Sequence, residues 1–184
     1  EVVKALNTDP TIDFLYTDED KITENGRRFN AFYKSDWNPE LILNHNYITH
    51  FVVVKRDLLE KVGGLNSAYN GAQDYDFVLR ATEQATKIKH IPGMMYHWRA
   101  IESSTALNPE SKGYAYVAGQ KAVQAATERR GLKAQVEIAE FYGSYKINYL
   151  YDHVPMVSLI ITNDTENMSS YLRQLLEKTA YTNY

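Results

Sequence analysis

Two carboxylates at i and i+2, Asp18 and Asp20 in Asp18-Glu19-Asp20, follow the short apolar run Ile12-Asp13-Phe14-Leu15-Tyr16. The run is aromatic and β-branched, which predicts a buried strand with the acids at its end. In α/β proteins, ligands collect just beyond the carboxyl ends of parallel strands. Paired carboxylates there suit a hard divalent cation shared with a phosphate. The ordinary alternative is a solvated acidic turn, since acids are common turn residues. Three further features carry chemistry. Asp74, in Gly71-Ala72-Gln73-Asp74-Tyr75-Asp76, falls at a helix start, where an acid caps or meets the helix dipole. His97, in Tyr96-His97-Trp98-Arg99, ends a predicted strand; a lone histidine is usually structural, but one near acids can ligate a metal. Gly63-Gly64 lets backbone approach a ligand closely, or simply caps a helix.

The elements that must position these residues follow from hydrophobic spacing. Asn25-Gly26 marks a turn in the polar stretch after the first strand. Residues 32–39 are aromatic but irregular and read as a loop packed on the body. Pro39 then opens a short helix over Glu40–Leu43. His50–Val54 reads as a strand, and Asp57–Val62 as a helix stopped by the glycine pair. Phe77, Val78, Ala81 and Ala85 recur at helical spacing and predict a helix over Gln73–Thr86. Two strands, Lys87–Ile91 and Met94–Trp98, are expected on either side of Pro92-Gly93. Arg99–Pro109 is polar and unpatterned, the mark of a mobile loop. A second long helix is predicted over Ser111–Arg130, ended by Gly131. Val136 and Ile138, then Tyr145, Ile147, Tyr149 and Tyr151, alternate as in sheet strands. Val157–Thr162 is a continuous apolar run of the buried parallel type, followed by a helix over Met168–Lys178. That strand–loop–helix order is how nucleotide-binding α/β domains begin.

The 184 residues are enough for one domain with a real core and part of another. At 44% hydrophobic and 23% charged, the composition is that of an ordinary globular chain. A formal net charge of -3 gives no electrostatic case for nucleic acid as a partner. The absence of Cys removes disulfides, thiolate catalysis and cysteine metal sites, and fits a reducing compartment. No apolar run is long enough to span a bilayer. The first residues read as the last turns of an amphipathic helix, so a piece of a longer protein is expected.

Taken in order, Phe14-Leu15-Tyr16-Thr17-Asp18-Glu19-Asp20, Val62-Gly63-Gly64-Leu65, Gln73-Asp74-Tyr75-Asp76-Phe77-Val78-Leu79-Arg80, His90-Ile91-Pro92-Gly93 and Tyr96-His97-Trp98-Arg99 resemble the family-two glycosyltransferases of the GT-A fold. Each motif is weak alone; their order makes the set specific. The resemblance covers residues 1–130 and is greatest to bacterial enzymes that build surface polysaccharide. It implies an α/β, partial GT-A architecture: residues 1–130 as the C-terminal part of one transferase domain, 131–153 as connecting strands, and 154–184 as the start of a second.

The roles it implies are specific. Asp20 binds the metal, Mn2+ or Mg2+, with Asp18 against the metal or the nucleotide and His97 completing the site. Asp74 is the base that takes the acceptor proton. The position before it, usually Glu in the family, is Gln73 here. Asp18, Gly63, Gly64 and Arg99 line the nucleotide-diphosphate sugar donor. Trp37, Asp76 and Trp98 face a saccharide or lipid-linked saccharide acceptor. One base and no nucleophile implies direct displacement with inversion. The resemblance also implies a cytoplasmic protein, peripheral to the inner face of the membrane at full length. The family's first strand and helix would precede Glu1, so little activity is expected of this piece alone, with a dimer through the trailing strand–helix unit as one way to fill the gap. A non-catalytic binding or scaffolding module of the same fold is the competing expectation.

Overall fold

The computed structural model describes residues 1–101, 113–161 and 168–184. It divides into two compact units, Glu1–Tyr149 and Leu150–Tyr184. The first is a mixed α/β unit whose sheet contains a parallel strand pair. Helix α1 spans Val2–Thr8, and strands β1 and β2 span Phe14–Ile22 and Arg28–Phe32. Helix α2 (Leu41–Asn44), strand β3 (Val52–Val54) and helix α3 (Arg56–Val62) follow. Then come α4 (Gln73–Gln84), β4 (Ile88–Arg99), α5 (Gly113–Arg129), β5 (Ala134–Ile138) and β6 (Tyr145–Tyr149).

β1 is the organising strand. Its first half pairs antiparallel with β3, Phe14 opposite Val54, and its second half antiparallel with β2, Ile22 opposite Arg28. Along the other edge it runs parallel to β4 from Phe14–Ile88 to Ile22–Arg99. Alternation sends Phe14 and Tyr16 into a core closed by Tyr75, Val78 and Leu79 of α4 and Ala122, Val123 and Ala126 of α5. Leu15 turns the other way, onto Ile12, Ile91 and α1. The sheet thus has helices on both faces, and β1 is buried from Phe14 to Asp20.

Three expectations change. Asp18-Glu19-Asp20 lie inside β1, not beyond it, because β2 and β4 continue the ladder on both sides of the acids. Pro92-Gly93 do not divide β4: the register steps from Thr17–Ile91 to Asp18–Met94, so the two residues bulge and the strand resumes. The run Val157–Thr162 forms no strand over its described residues, and Val157, Leu159 and Ile160 are exposed. A strand of that type needs partner strands on its edges. In this second unit the Val157 N–H instead bonds the Asn183 carbonyl at 2.9 Å, and helix α6 (Met168–Lys178) follows as expected. Of the expected loop Arg99–Pro109, Arg99 closes β4 and residues 102–109 lie outside the described residues, as do Ser111 and Lys112 at the start of the expected second helix. Among the described residues no helix is long and apolar enough to cross a membrane.

The β5–β6 hairpin is fixed to α5 by a close approach. A Cβ added at Gly119 would stand 2.0 Å from Tyr145 Oη and 2.8 Å from its Cζ. Tyr145 is buried and donates its hydroxyl to the Tyr116 carbonyl at 3.2 Å. Gly119→Ala gains up to about 1 kcal/mol of helix propensity but overpacks the core by about 1–3 kcal/mol. We expect a net loss in the urea midpoint. An unchanged midpoint would mean that Tyr145 withdraws freely.

Candidate functional site

Strand alternation gives β1 two chemically different faces. Asp18 and Asp20 share one; Glu19 points to the other. On the first, β4 sets His97 directly across from Asp20. His97 Nδ1 lies 2.5 Å from Asp20 Oδ1, and Arg28 Nε donates to Asp20 Oδ2 at 2.6 Å. The Asp20 side chain is 5% exposed and that of His97 37%. Burial alone would raise the Asp20 pKa, but the hydrogen bonds and charges of His97 and Arg28 outweigh it and hold the carboxyl below its usual range.

Asp18 is occupied differently. Its Oδ1 accepts from the Lys34 N–H at 2.9 Å and lies 2.8 Å from His90 Nε2; its Oδ2 accepts from the Gly93 N–H at 2.8 Å. His90 stacks on Tyr16 with centroids 4.9 Å apart, and its Nδ1 sits 3.3 Å from Asp36. Burial opposes ionisation of Asp18, and the two backbone N–H groups and His90 more than offset it, so its pKa is lowered. Asp18 therefore ties β1 to the loop after β2 and to the bulge of β4.

On the opposite face the Lys34 side chain, 0% exposed, donates to Glu19 at 3.0 Å, to the Ile48 carbonyl at 2.9 Å and to the Thr49 carbonyl. Burial lowers the Lys34 pKa against the pull of Glu19. His50 Nδ1 lies 3.0 Å from Glu19, and its ring packs on Tyr96 and Trp98. Trp98, over which Lys21 sits at 5.3 Å, thus belongs to the Glu19 face, while its neighbour His97 faces Asp20. Arg99 is exposed at the end of β4.

The remaining expected residues lie around α4. Asp74 is exposed at its second position; the N-cap is Ala72, so Asp74 does not cap. Its charge reaches Tyr145, whose hydroxyl is pushed up to about 12 by burial, then by Tyr116 and Asp74. Asp76 is 1% exposed and faces inward, its Oδ2 accepting from Arg80 Nη2 at 2.7 Å and Nε at 3.0 Å. Arg80 in turn donates to the carbonyls of Val62 at 2.5 Å and Gly64 at 2.9 Å. Asp76 thus holds the glycine pair through Arg80. Gly63 ends α3 at φ 76°, a conformation that favours glycine. Trp37 lines a cleft with Pro39, Thr82, Glu83, Gln84, Arg129 and Arg130, at the end of α4 opposite Asp74. Asp20 and His97 come together; Asp74 shares no hydrogen bond or ion pair with them among the described residues.

No family model matches the chain. Over 186 residues it is 33% identical to the O-antigen biosynthesis protein RfbC of Myxococcus xanthus, and over 188 residues 37% identical to the uncharacterized protein y4gI of Sinorhizobium fredii. The chain is similar to part of an O-antigen biosynthesis protein. Both alignments take in the whole chain, which spans 14% of the first relative and 21% of the second.

A divalent ion implied by the GT-A resemblance fits this site in part. Asp20 and His97 converge from adjacent strands, and a cationic guanidinium already stands on Asp20. The oxygens of Asp18 are taken by three donors. Among the described residues no group of three or more His, Cys, Asp or Glu side chains forms a metal cage. Two protein ligands suffice for an ion that arrives with phosphates, since Mg2+ commonly binds through one or two side chains plus substrate oxygens. Arg28, Lys34, His50 and His90 were missed as site residues by sequence reasoning. Arg28 had a signal: the Asn25-Gly26 turn folds a basic residue back beside the acidic strand. His90 stood in the His90-Ile91-Pro92-Gly93 motif, but nothing local pointed to its contact with Asp18, and His50 had no signal at all, because their partners are distant in sequence.

Proposed function

We propose that this chain is part of a metal-dependent, inverting glycosyltransferase of the GT-A fold, moving a sugar from a nucleotide-diphosphate donor to a saccharide hydroxyl in surface-polysaccharide synthesis. The observation that carries the reading is the Asp20–His97 pair across β1 and β4, with Arg28 beside it. The similarity to an O-antigen biosynthesis protein supports the substrate class. Asp20 and His97 would hold Mn2+ or Mg2+, which when bound offsets charge on the departing diphosphate as a Lewis acid. Asp18 braces the strand that presents Asp20. Asp74, exposed at the start of α4, takes the proton of the acceptor hydroxyl. Arg80 and Asp76 hold Gly63-Gly64, the segment that would approach the donor.

Melting the chain with Mn2+ and uridine diphosphate, together and separately, tests the reading. A ligand at about 100 times its dissociation constant adds about 2.7 kcal/mol, or a melting shift of about 5–10 °C. We expect that shift for the pair of ligands, and its loss in Asp20→Asn. A nucleotide shift that ignores the metal would point instead to a non-catalytic binding module.

A further inference from the structure

Arg28 uses one corner of its hydrogen-bonding fork. Its Nε donates to Asp20, while its terminal nitrogens make no hydrogen bond or ion pair among the described residues, and the side chain is 51% exposed. The backbone beneath it is fixed. Arg28 pairs with Ile22 at the start of β2, and the turn before it is closed by Thr23 N–H to the Arg27 carbonyl at 2.9 Å and Arg27 N–H to Thr23 Oγ1 at 3.0 Å. A guanidinium anchored through Nε, with two amino groups open, presents the planar edge that binds phosphate oxygens in pairs. At the same time its positive charge already matches Asp20, so a metal ion alone meets a competitor there.

We propose that Arg28 is a diphosphate-binding residue that guards Asp20: it pairs with the carboxylate when the site holds no metal, and turns to the donor diphosphate when a metal ion takes Asp20. This rests on the transferase reading. The exchange leaves no charge unmatched, because metal and diphosphate arrive together, one replacing Arg28 on Asp20 and the other receiving it. Metal and donor are therefore mutually dependent ligands of this site.

The two halves of the proposal predict changes of opposite sign. Titrate the chain with Mn2+ alone, followed by electron paramagnetic resonance, and then with methylene diphosphonate at saturating Mn2+, followed by calorimetry. In Arg28→Ala, Mn2+ alone should bind about threefold or more tightly, because the competing charge is gone. The diphosphonate should bind about tenfold or more weakly, the size of a lost charge-assisted pair. Arg28→Lys keeps the charge but not the fork: Mn2+ affinity should stay near that of the parent while diphosphonate affinity falls. That variant also carries the test if the alanine form folds poorly. Equal or same-direction changes in Arg28→Ala, with a parent that binds both ligands, overturn the role of Arg28 and leave the transferase reading standing. A parent that binds neither overturns both.

Discussion

On the transferase reading, Asp74→Asn in the full-length enzyme is expected to lower sugar transfer by about two orders of magnitude or more, with donor affinity nearly unchanged, because a positioned general base contributes about 10²–10⁴-fold. The substitution keeps size and polarity and removes the basic lone pair. The structure separates this role from a merely structural one. Asp74 is exposed, and Ala72 supplies the N-cap, so no cap is lost with the carboxylate. What folding does lose is a favourable charge near a helix N-terminus, about 0.3–1 kcal/mol. Asp76, two residues on, is the reverse case, buried and paired with Arg80. Measuring kcat, KM and melting temperature on the same variant therefore reads chemistry apart from stability. A near-normal kcat would reduce Asp74 to a charge on the helix dipole.

The legible part of this fold is the part whose signal is local. The spacing of Phe77, Val78 and Ala81 located α4, and the alternation of Tyr145, Ile147 and Tyr149 located β6. The errors lie where distant segments decide. Whether β1 stops before Asp18 depends on β2 and on β4, some seventy residues on; both continue the ladder, and the acids become strand residues. Pro92-Gly93 reads locally as a break, yet a strand pinned to β1 on both sides absorbs it as a bulge. The expected strand Val157–Thr162 shows the converse: an apolar run whose described residues, 157–161, form no strand. At the site, Asp20 and His97 could each be picked out by type, but their meeting is a fact of parallel register. The same register sends Trp98 to the other face, which no one-dimensional spacing of a four-residue motif makes obvious.

Asp18→Asn is expected to destabilise the fold by about 3 kcal/mol, or about 10 °C in melting temperature, with no metal present. An amide offers one acceptor oxygen and one donor nitrogen where the carboxylate receives the Lys34 N–H, the Gly93 N–H and His90. At least one buried donor is left facing another donor, at about 1–3 kcal/mol, and the charge that strengthened the remaining bonds is gone. The pH dependence follows in sign. The pKa of Asp18 is lowered in the folded state, so between that value and about 4 the unfolded chain binds more protons than the native one. The stabilisation is complete above about pH 4 and is lost as pH falls through the folded value. The Asn variant lacks this contribution, so its stability should fall less steeply with acid. It should not become flat, since Asp13 and Asp20 are also lowered and keep their share. Urea titrations from pH 7 down to pH 2 measure both effects. A variant that matches the parent without metal but loses only its Mn2+ response would return Asp18 to the metal site and dismiss it as the tie between β1, the loop after β2 and the bulge of β4.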